Sequence, residues 1–199
     1  VRRRGYQAHD AEDLTQGFFA RLLERDDVAT VRREDGKFRS YLLAAMNHYL
    51  SDARDKAHAR KRGGGKVLVL DFQAAESAYL HPTTDSTSTP DQLFDQQWAL
   101  TLLQEVLRRL RREHKLEGKT AWFEALAFSL TGERGDRSYV ELAKDLNTTE
   151  GAIKVAVHRL RRRYRHLLRE LIAETVSTPD EVEDELRELL RALAHRPPL

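Results

Sequence analysis

Apolar residues recur every three or four positions along most of the chain, which is the repeat of an amphipathic α-helix. The first stripe, for which Asp10 is the predicted helix cap, consists of Ala11, Leu14, Phe18 and Leu22. After Gly36 a second stripe consists of Phe38, Leu42, Ala45, Tyr49 and Ala53. The run VLVLD at 67–71 is strand-like but too short to predict a sheet. The pattern therefore predicts an all-α fold.

Capping motifs predict where the later helices begin. Residues 89–92 (TPDQ) combine a cap residue, a proline at the first helical position and a glutamine three residues after the cap. We expect the helix that follows to extend from Leu93 to about Leu116, and a shorter one from Thr120 to about Leu130. The similar residues 178–181 (TPDE) predict a last helix, whose apolar stripe is Val182, Leu186, Leu189, Leu190 and Leu193.

Changes in composition divide the chain into modules. Residues 63–65 (GGG) end the second helix, and although they are followed by Lys66 they lack the spacing and the Ser or Thr of a phosphate-binding loop. Segment 66–88 is rich in Ser, Thr, Asp and Ala, which predicts a linker. We expect helical modules at 1–65 and 89–176, and an amphipathic helical extension at 177–199.

A short helix, a polar turn and a long basic helix follow one another at 138–168, which predicts a helix-turn-helix. Its apolar face consists of Tyr139, Leu142, Ala143, Leu146, Ile153, Ala156, Val157, Leu160, Tyr164, Leu167 and Leu168. The side chains placed to reach base edges are Thr149, Glu150, Lys154, Val155 and His158. Those placed to contact phosphates are Arg159, Arg161, Arg162, Arg163 and Arg165. The alternative is an α-hairpin whose basic face binds an acidic protein.

The charge is distributed in blocks, although the whole chain has a formal net charge of only +2. Residues 54–66 carry a net charge of +5 and residues 154–169 carry +7, whereas 10–35 carry −4 and 177–199 carry −3. This alternation favours a polyanion partner together with a protein contact. The alternative is that solvated helix faces happen to cluster.

Several classes of protein do not fit the composition. The chain has no cysteine, so it has no disulfide, no thiol nucleophile and no cysteine-ligated zinc. Its longest stretch without a formal charge, 40–51, is too short to cross a membrane, and no signal peptide follows the basic residues 1–4. The eight histidines match no HExxH motif, and there is no GxSxG elbow. We therefore expect a cytoplasmic protein that is no enzyme and has no catalytic residue, metal or cofactor.

Three segments resemble the extracytoplasmic-function (ECF) sigma factors, the small specificity subunits of bacterial RNA polymerase. Residues 10–23 (DAEDLTQGFFARLL) resemble region 2.2 of that family. Residues 38–52 (FRSYLLAAMNHYLSD) with their basic tail resemble regions 2.3 and 2.4. Residues 138–146 (SYVELAKDL) and 150–160 (EGAIKVAVHRL) resemble region 4.2. With the linker and region 4.1, the resemblance covers nearly everything from Tyr6 to Val176.

The resemblance implies a transcription initiation factor that binds core RNA polymerase, at its clamp helices and flap region, and recognises the −10 and −35 elements of promoter DNA. The implied polymerase-binding residues are Asp10, Glu12, Asp13 and Gln16. The residues implied for the proximal element are Arg39, Tyr41, Asn47, His48 and Lys56. Those implied for the distal element are Thr149, Glu150, Lys154, Val155, His158, Arg159, Arg161, Arg162 and Arg163. An aromatic ring beside basic groups suits a separated strand, and Tyr41 is the better stacking candidate because Phe38 and Tyr49 lie on the core stripe.

Two features depart from the family. The chain begins at Val1, inside what should be the end of an earlier helix, so we expect most of region 2.1 to be missing and region 2 to be N-terminally incomplete. The extension 177–199 either covers the basic recognition helix with its acidic face or docks as structural padding. An anti-sigma factor or another regulatory protein is a further expected partner. The alternative functions are a helix-turn-helix regulator that acts without polymerase and a helical adaptor that binds only proteins.

Overall fold

The computed structural model describes residues 1–24, 37–59, 89–131 and 137–194. All the longer elements in these ranges are α-helices, which confirms the all-α class for the described part of the chain. The helices are α1 (Ala8–Glu24), α2 (Phe38–Ala59), α3 (Pro90–Leu116), α4 (Thr120–Leu126), α5 (Phe128–Thr131), α6 (Tyr139–Asp145), α7 (Glu150–Ala173) and α8 (Glu181–Ala194). A single turn of 3₁₀ helix, Arg2–Arg4, precedes α1.

The structure divides into two compact units. The first unit comprises 1–99 and 175–199, so it contains the start of α3 and the whole of α8. The second unit comprises 100–174. The expected linker lies almost wholly outside the described residues, as do the VLVLD run and the three glycines at 63–65.

The core of the first unit forms where α1 packs on α2. Phe18 and Leu22 of α1 and Leu50 of α2 are buried, and the Phe18 ring meets the edge of the Tyr49 ring at 5.8 Å between centroids. Gly17 permits this approach, because a Cβ built on it would overlap the Tyr49 hydroxyl oxygen. Burial raises the pKa of that hydroxyl above its ordinary value. Tyr49 is therefore a packing residue, as its position on the stripe predicts.

A second aromatic cluster lies at the start of α2. Phe38 stacks on Tyr41 with ring centroids 6.3 Å apart, and its ring centroid also lies 6.1 Å from that of Trp98 in α3. Trp98 also contacts Phe94 at 6.1 Å. Ring pairs at these separations add to the stability gained by burying apolar area. They fix the start of α2 against the residues of α3 that belong to the first unit.

The second unit is built around α7, whose apolar stripe is buried as the sequence predicts. The fully buried side chains of this core include Val106, Leu110, Leu142, Ile153 and Ile172. The short helices α5 and α6 both pack on α7. Burying one such aliphatic side chain stabilises the fold by about 1.5–3 kcal/mol, so this stripe fixes which face of α7 is turned outward.

Predicted helix starts are confirmed at α3 and α6. In the first, the backbone N–H of Thr89 donates to Gln92 at 2.9 Å, and the N–H of Gln92 donates to Thr89 Oγ1 at 3.2 Å. The same reciprocal pair joins Ser138 and Glu141 at α6. Two other starts differ from prediction. Asp10 lies within the first turn of α1, and α8 begins at Glu181, whose carboxylate accepts from the N–H of Ser177 at 2.8 Å.

Among the described helices, none combines the length and the apolar character needed to cross a lipid bilayer. Within the same residues, no group of three or more histidine, aspartate or glutamate side chains is arranged to hold a metal ion.

Candidate nucleic-acid interface

The outward face of α7 begins at a sharp turn after α6. Asn147 adopts a left-handed conformation with φ of 49°, which asparagine tolerates better than most residues. Thr149 then caps α7, since its hydroxyl oxygen accepts a hydrogen bond from the N–H of Ala152 at 3.2 Å. Gly151 has almost no neighbours within contact distance of a Cβ, so the first turn of the helix is slim and accessible.

The side chains predicted to reach base edges are brought together on this face. Thr149, Glu150 and His158 are exposed, the Lys154 side chain is 61% exposed, and Val155 is one of the few large apolar residues at the surface, with 50% exposure. Lys154 Nζ lies 2.6 Å from Glu150 Oε1, and this hydrogen bond raises the pKa of the lysine. A DNA strand would therefore have to compete with Glu150 for the ammonium group.

The arginines predicted to contact phosphates differ in their exposure and in the partners of their guanidinium groups. Arg159 and Arg162 are exposed and form no ion pair within the described residues. Arg161 donates from Nε to the backbone oxygen of Ser129 at 3.0 Å, which orients its side chain. Arg165 is exposed and donates to the carbonyl oxygen of Arg161 at 3.3 Å.

Arg163 is tied to carboxylates of its own unit. Its Nε and Nη2 atoms donate to the two carboxylate oxygens of Glu113 at 3.0 and 2.5 Å, and Nη1 lies 3.7 Å from Glu170. This forked pairing lowers the pKa of Glu113 and raises that of Arg163. Its charge is already neutralised, so Arg163 offers much less to a phosphate than Arg159 or Arg162.

A basic cleft of about 510 Å³ opens beside this face. Its walls include Lys154, His158, Arg161 and the aromatic rings of Tyr139 and Tyr164. Ser129, which also lines the cleft, is buried, and its hydroxyl has no hydrogen-bond partner within the described part of the chain. The cleft therefore brings together cationic side chains and a hydroxyl group, and both kinds of group bind phosphate oxygens in proteins.

The residues expected to bind polymerase lie along the first turns of α1. Asp10 and Asp13 are exposed, and Glu12 and Gln16 are half-buried. Asp13 lies 3.5 Å from the imidazole of His9, and the amide of Gln16 donates to Glu12 at 3.4 Å. These contacts join residues one turn apart, so the side chains form a continuous acidic edge on the helix.

Residues expected to hold the proximal element lie in different environments along α2. His48 is exposed, and together with Tyr41 it lines a small cleft of about 160 Å³. Asn47 is half-buried, and its side-chain oxygen has no hydrogen-bond partner among the described residues. Tyr41 already stacks on Phe38. The side chain of Lys56 lies outside the described residues.

Arg39 is the predicted DNA-binding residue whose surroundings differ most from expectation. It is only 7% exposed, and its Nε donates to Glu185 Oε1 at 2.9 Å. Its Nη2 donates to Glu188 Oε2 at 2.9 Å, and its Nη1 donates to Asp95. In this arrangement the guanidinium is enclosed by three carboxylates, so it cannot reach a DNA strand without being released.

Lys37 completes this group of charges, which we call the α8 ion cluster: Lys37, Arg39, Asp95, Glu185 and Glu188. Lys37 Nζ lies 2.7 Å from Glu188 and 3.2 Å from Glu185. Burial alone would raise the pKa of Glu185, which is 1% exposed, but hydrogen bonds from Arg39 and Lys37 outweigh it and the pKa is lowered. Burial alone would lower the pKa of Arg39. The hydrogen bonds and charges of Glu185 and Asp95 outweigh burial, so the pKa of Arg39 is raised.

Sequence reasoning missed the carboxylate partners of both Arg39 and Arg163. For Arg39, the sequence contains one indication of a carboxylate partner. Glu185 lies on the face of α8 that also carries the apolar residues Val182 and Leu189. A carboxylate on a buried face requires a cation from elsewhere in the fold. No spacing in the sequence connects Arg163 with Glu113, which precedes it by 50 residues.

Comparison of the chain with protein-family models, with curated proteins and with solved structures finds no match.

Proposed function

We propose that the protein is a transcription initiation factor of the ECF sigma type, which binds core RNA polymerase and directs it to promoters through the −10 and −35 elements. In this proposal α6, the turn at 146–149 and α7 form a helix-turn-helix, and α7 enters the major groove of the −35 element. The acidic edge of α1 contacts the clamp helices of the polymerase. Promoter DNA and core polymerase are the partners, and the protein acts in the cytoplasm.

The observation that carries the proposal is the outward face of α7. Its leading turns present Lys154, Val155 and His158 to solvent, next to the guanidinium groups of Arg159 and Arg162, which form no ion pair with any residue that the structure describes. A helix that reads DNA needs this order, with groups for base edges on its first turns and cations for the flanking phosphates. The buried stripe on its opposite side holds that face outward.

The negative charge on α1 supports the proposed contact with polymerase. Asp10 and Asp13 are exposed, and an acidic edge of this kind favours a partner with a basic surface. A DNA-binding regulator that acts alone would have no use for such an edge. The sequence resemblance assigns the same four residues to the polymerase contact.

Binding of the full chain to purified core RNA polymerase tests the proposal. Wild-type protein should form a stable complex, and Asp13→Asn should weaken it by about tenfold because the acidic edge loses an exposed charge. Glu24→Gln is the matched control, since it removes one exposed carboxylate from the other end of α1 and should leave the affinity unchanged.

Two results would contradict the proposal. Absence of any complex with core polymerase, together with specific binding to duplex DNA, would favour a helix-turn-helix regulator that acts without polymerase. Absence of binding to both would favour a helical adaptor.

A further inference from the structure

Among the residues of the first unit that the structure describes, α8 makes the most concentrated charge contact. Glu185 and Glu188 of α8 surround Arg39 and Lys37, which lie 146 to 151 positions earlier in the sequence. The backbone supports this contact, because the N–H of Phe38 donates to the carbonyl oxygen of Thr175 at 2.9 Å. The start of α2 is therefore held by the C-terminal segment through side chains and main chain together.

The apolar contact made by α8 is incomplete. Val182 and Leu189 are buried and Leu186 and Leu193 are half-buried, but Leu190 is 54% exposed, so the predicted apolar stripe is only partly used. The helix has 14 residues, just under four turns, and helices of this length are marginal on their own. Its attachment therefore combines this partial apolar contact with the α8 ion cluster.

The α8 ion cluster is open on one side. A cleft of about 310 Å³ leads to it, lined by Arg39, Gln92, Asp95, Glu188 and Leu189. Glu188 is half exposed, so a competing anion can approach Arg39 from this cleft without first unfolding the unit. Phosphate and carboxylate present the same oxygen geometry to a guanidinium group, so one can replace the other.

We propose that α8 is an intramolecular clasp, in which Glu185 and Glu188 occupy Lys37 and Arg39 and withhold these two cations from a DNA strand until α8 is released. This inference rests on the proposed function, because it takes the ligand of α2 to be DNA. By linkage, a strand that binds the released state must itself favour the release of α8. The clasp therefore makes binding of DNA by α2 dependent on the state of the C-terminal helix.

Hydrogen exchange of the α8 amides in the full chain, measured with and without a single-stranded oligonucleotide, tests the clasp directly. In the wild-type protein, saturating oligonucleotide should speed the exchange of residues 181–194. The double variant Glu185→Gln/Glu188→Gln should speed exchange without DNA and bind the oligonucleotide about tenfold more tightly, because both carboxylates of α8 that compete for Lys37 and Arg39 are removed.

Glu188→Gln alone is the milder variant, because Arg39 keeps Glu185 and Asp95 as partners and the fold is preserved. It should speed α8 exchange and tighten oligonucleotide binding, as the double variant does, but by smaller factors. Asp180→Asn is the matched control: it removes an exposed carboxylate next to α8, asparagine caps helices equally well, and neither exchange nor affinity should change.

The outcomes separate this inference from the proposed function. Oligonucleotide binding that leaves α8 exchange unchanged or slows it, or Gln variants that bind no more tightly than wild type, would overturn the clasp alone. If neither the wild type nor any variant binds DNA, the proposed function fails, and the clasp fails with it.

Discussion

At the scale of single residues, the outward face of α7 separates into groups that are free and groups that are already engaged. Arg162 has no ionic partner among the described residues, whereas Arg163 is bound by the carboxylate of Glu113. Two neighbouring arginines with the same formal charge therefore have different capacities to bind a phosphate. Sequence alone assigns both to the same role, because the helical repeat says nothing about a partner on another helix.

The first prediction contrasts a residue proposed to read base edges with one proposed to bind a phosphate. Lys154→Ala should weaken binding to the cognate duplex by about ten- to a hundredfold and leave binding to random duplex nearly unchanged. Arg162→Ala should weaken both by a similar factor, because a phosphate contact carries no sequence information. Fluorescence anisotropy at one fixed salt concentration measures all four affinities.

Arg163→Ala is the control for this comparison, and it should lower DNA affinity less than Arg162→Ala. Equal losses on cognate and random duplex for both Lys154→Ala and Arg162→Ala would contradict the roles assigned to them.

A second prediction concerns the contact between Gly17 and Tyr49. In the wild type, Gly17→Ala should give little or no gain in stability, because the added methyl group meets the Tyr49 hydroxyl. In a Tyr49→Phe background that oxygen is absent, and the same change should stabilise the protein by about 0.5–1 kcal/mol, the usual advantage of alanine over glycine within a helix. Chemical denaturation of the four proteins gives the coupling, and identical effects in both backgrounds would show that the contact has no energetic weight.

At the scale of elements, local chemistry predicted most helices and several of their boundaries. The capping motifs at Thr89 and Ser138 form the predicted hydrogen bonds, and the stripe of α7 is buried as predicted. These features depend on residues three or four positions apart, so the sequence contains all the information they need. The helix start at 178–181 shows the limit, because there the TPDE motif lies mostly in the turn before α8.

Tertiary contacts account for the elements that the sequence could not predict. Periodicity places Leu190 on the apolar face of α8, yet Leu190 is exposed and Glu185 is buried instead. Lys37 and Arg39 lie far away in the sequence and supply the positive charge that makes a buried glutamate stable. They therefore help to determine which face of α8 is buried. For the same reason, Arg39 resembles a DNA contact when only its neighbours in the sequence are considered.

A third prediction tests the cap that starts α6. Ser138→Ala should lower the free energy of unfolding by about 1 kcal/mol, because the N–H of Glu141 loses its acceptor and the reciprocal bond is weakened. Ser138→Asp should retain most of the stability, since a carboxylate accepts the same hydrogen bond. Urea denaturation measures both variants. A loss as large for Ser138→Asp as for Ser138→Ala would show that capping is not the cause.

At the scale of the whole molecule, charge connects α8 with the start of α2 within the first unit. The acidic extension and the start of α2 attract each other, and the result is a cluster of five charges in which Arg39 and Glu185 are buried. Buried ion pairs contribute little net stability compared with apolar packing, but breaking one partner out of such a group is costly. A cluster of this kind is suited to holding one arrangement of helices rather than to strengthening the fold.

A fourth prediction follows from the lowered pKa of Glu185. A carboxylate whose pKa is lower in the folded state stabilises the protein above its unfolded value of about 4.5, and this stabilisation is lost as the pH falls through the lowered pKa. The stability difference between wild type and Glu185→Gln should therefore be greatest near neutral pH and shrink below about pH 4.5.

The other groups facing Glu185 determine how this titration is interpreted. Lys37 and Arg39 remain charged throughout this range, because the pKa of each is raised, and the carboxylates of Asp95 and Glu188 are present in both proteins. Thermal unfolding of the two proteins at a series of pH values gives the difference, and a difference independent of pH would contradict the assigned ion pairing.

The most direct test of the central claim is run-off transcription by purified core RNA polymerase on fragments of the genome that encodes the protein. With the wild-type chain, a defined set of transcripts should appear that core enzyme alone does not produce, and Lys154→Ala should reduce them by about tenfold or more. Transcripts that are the same with and without the protein, under conditions in which it binds duplex DNA, would contradict its assignment as an initiation factor.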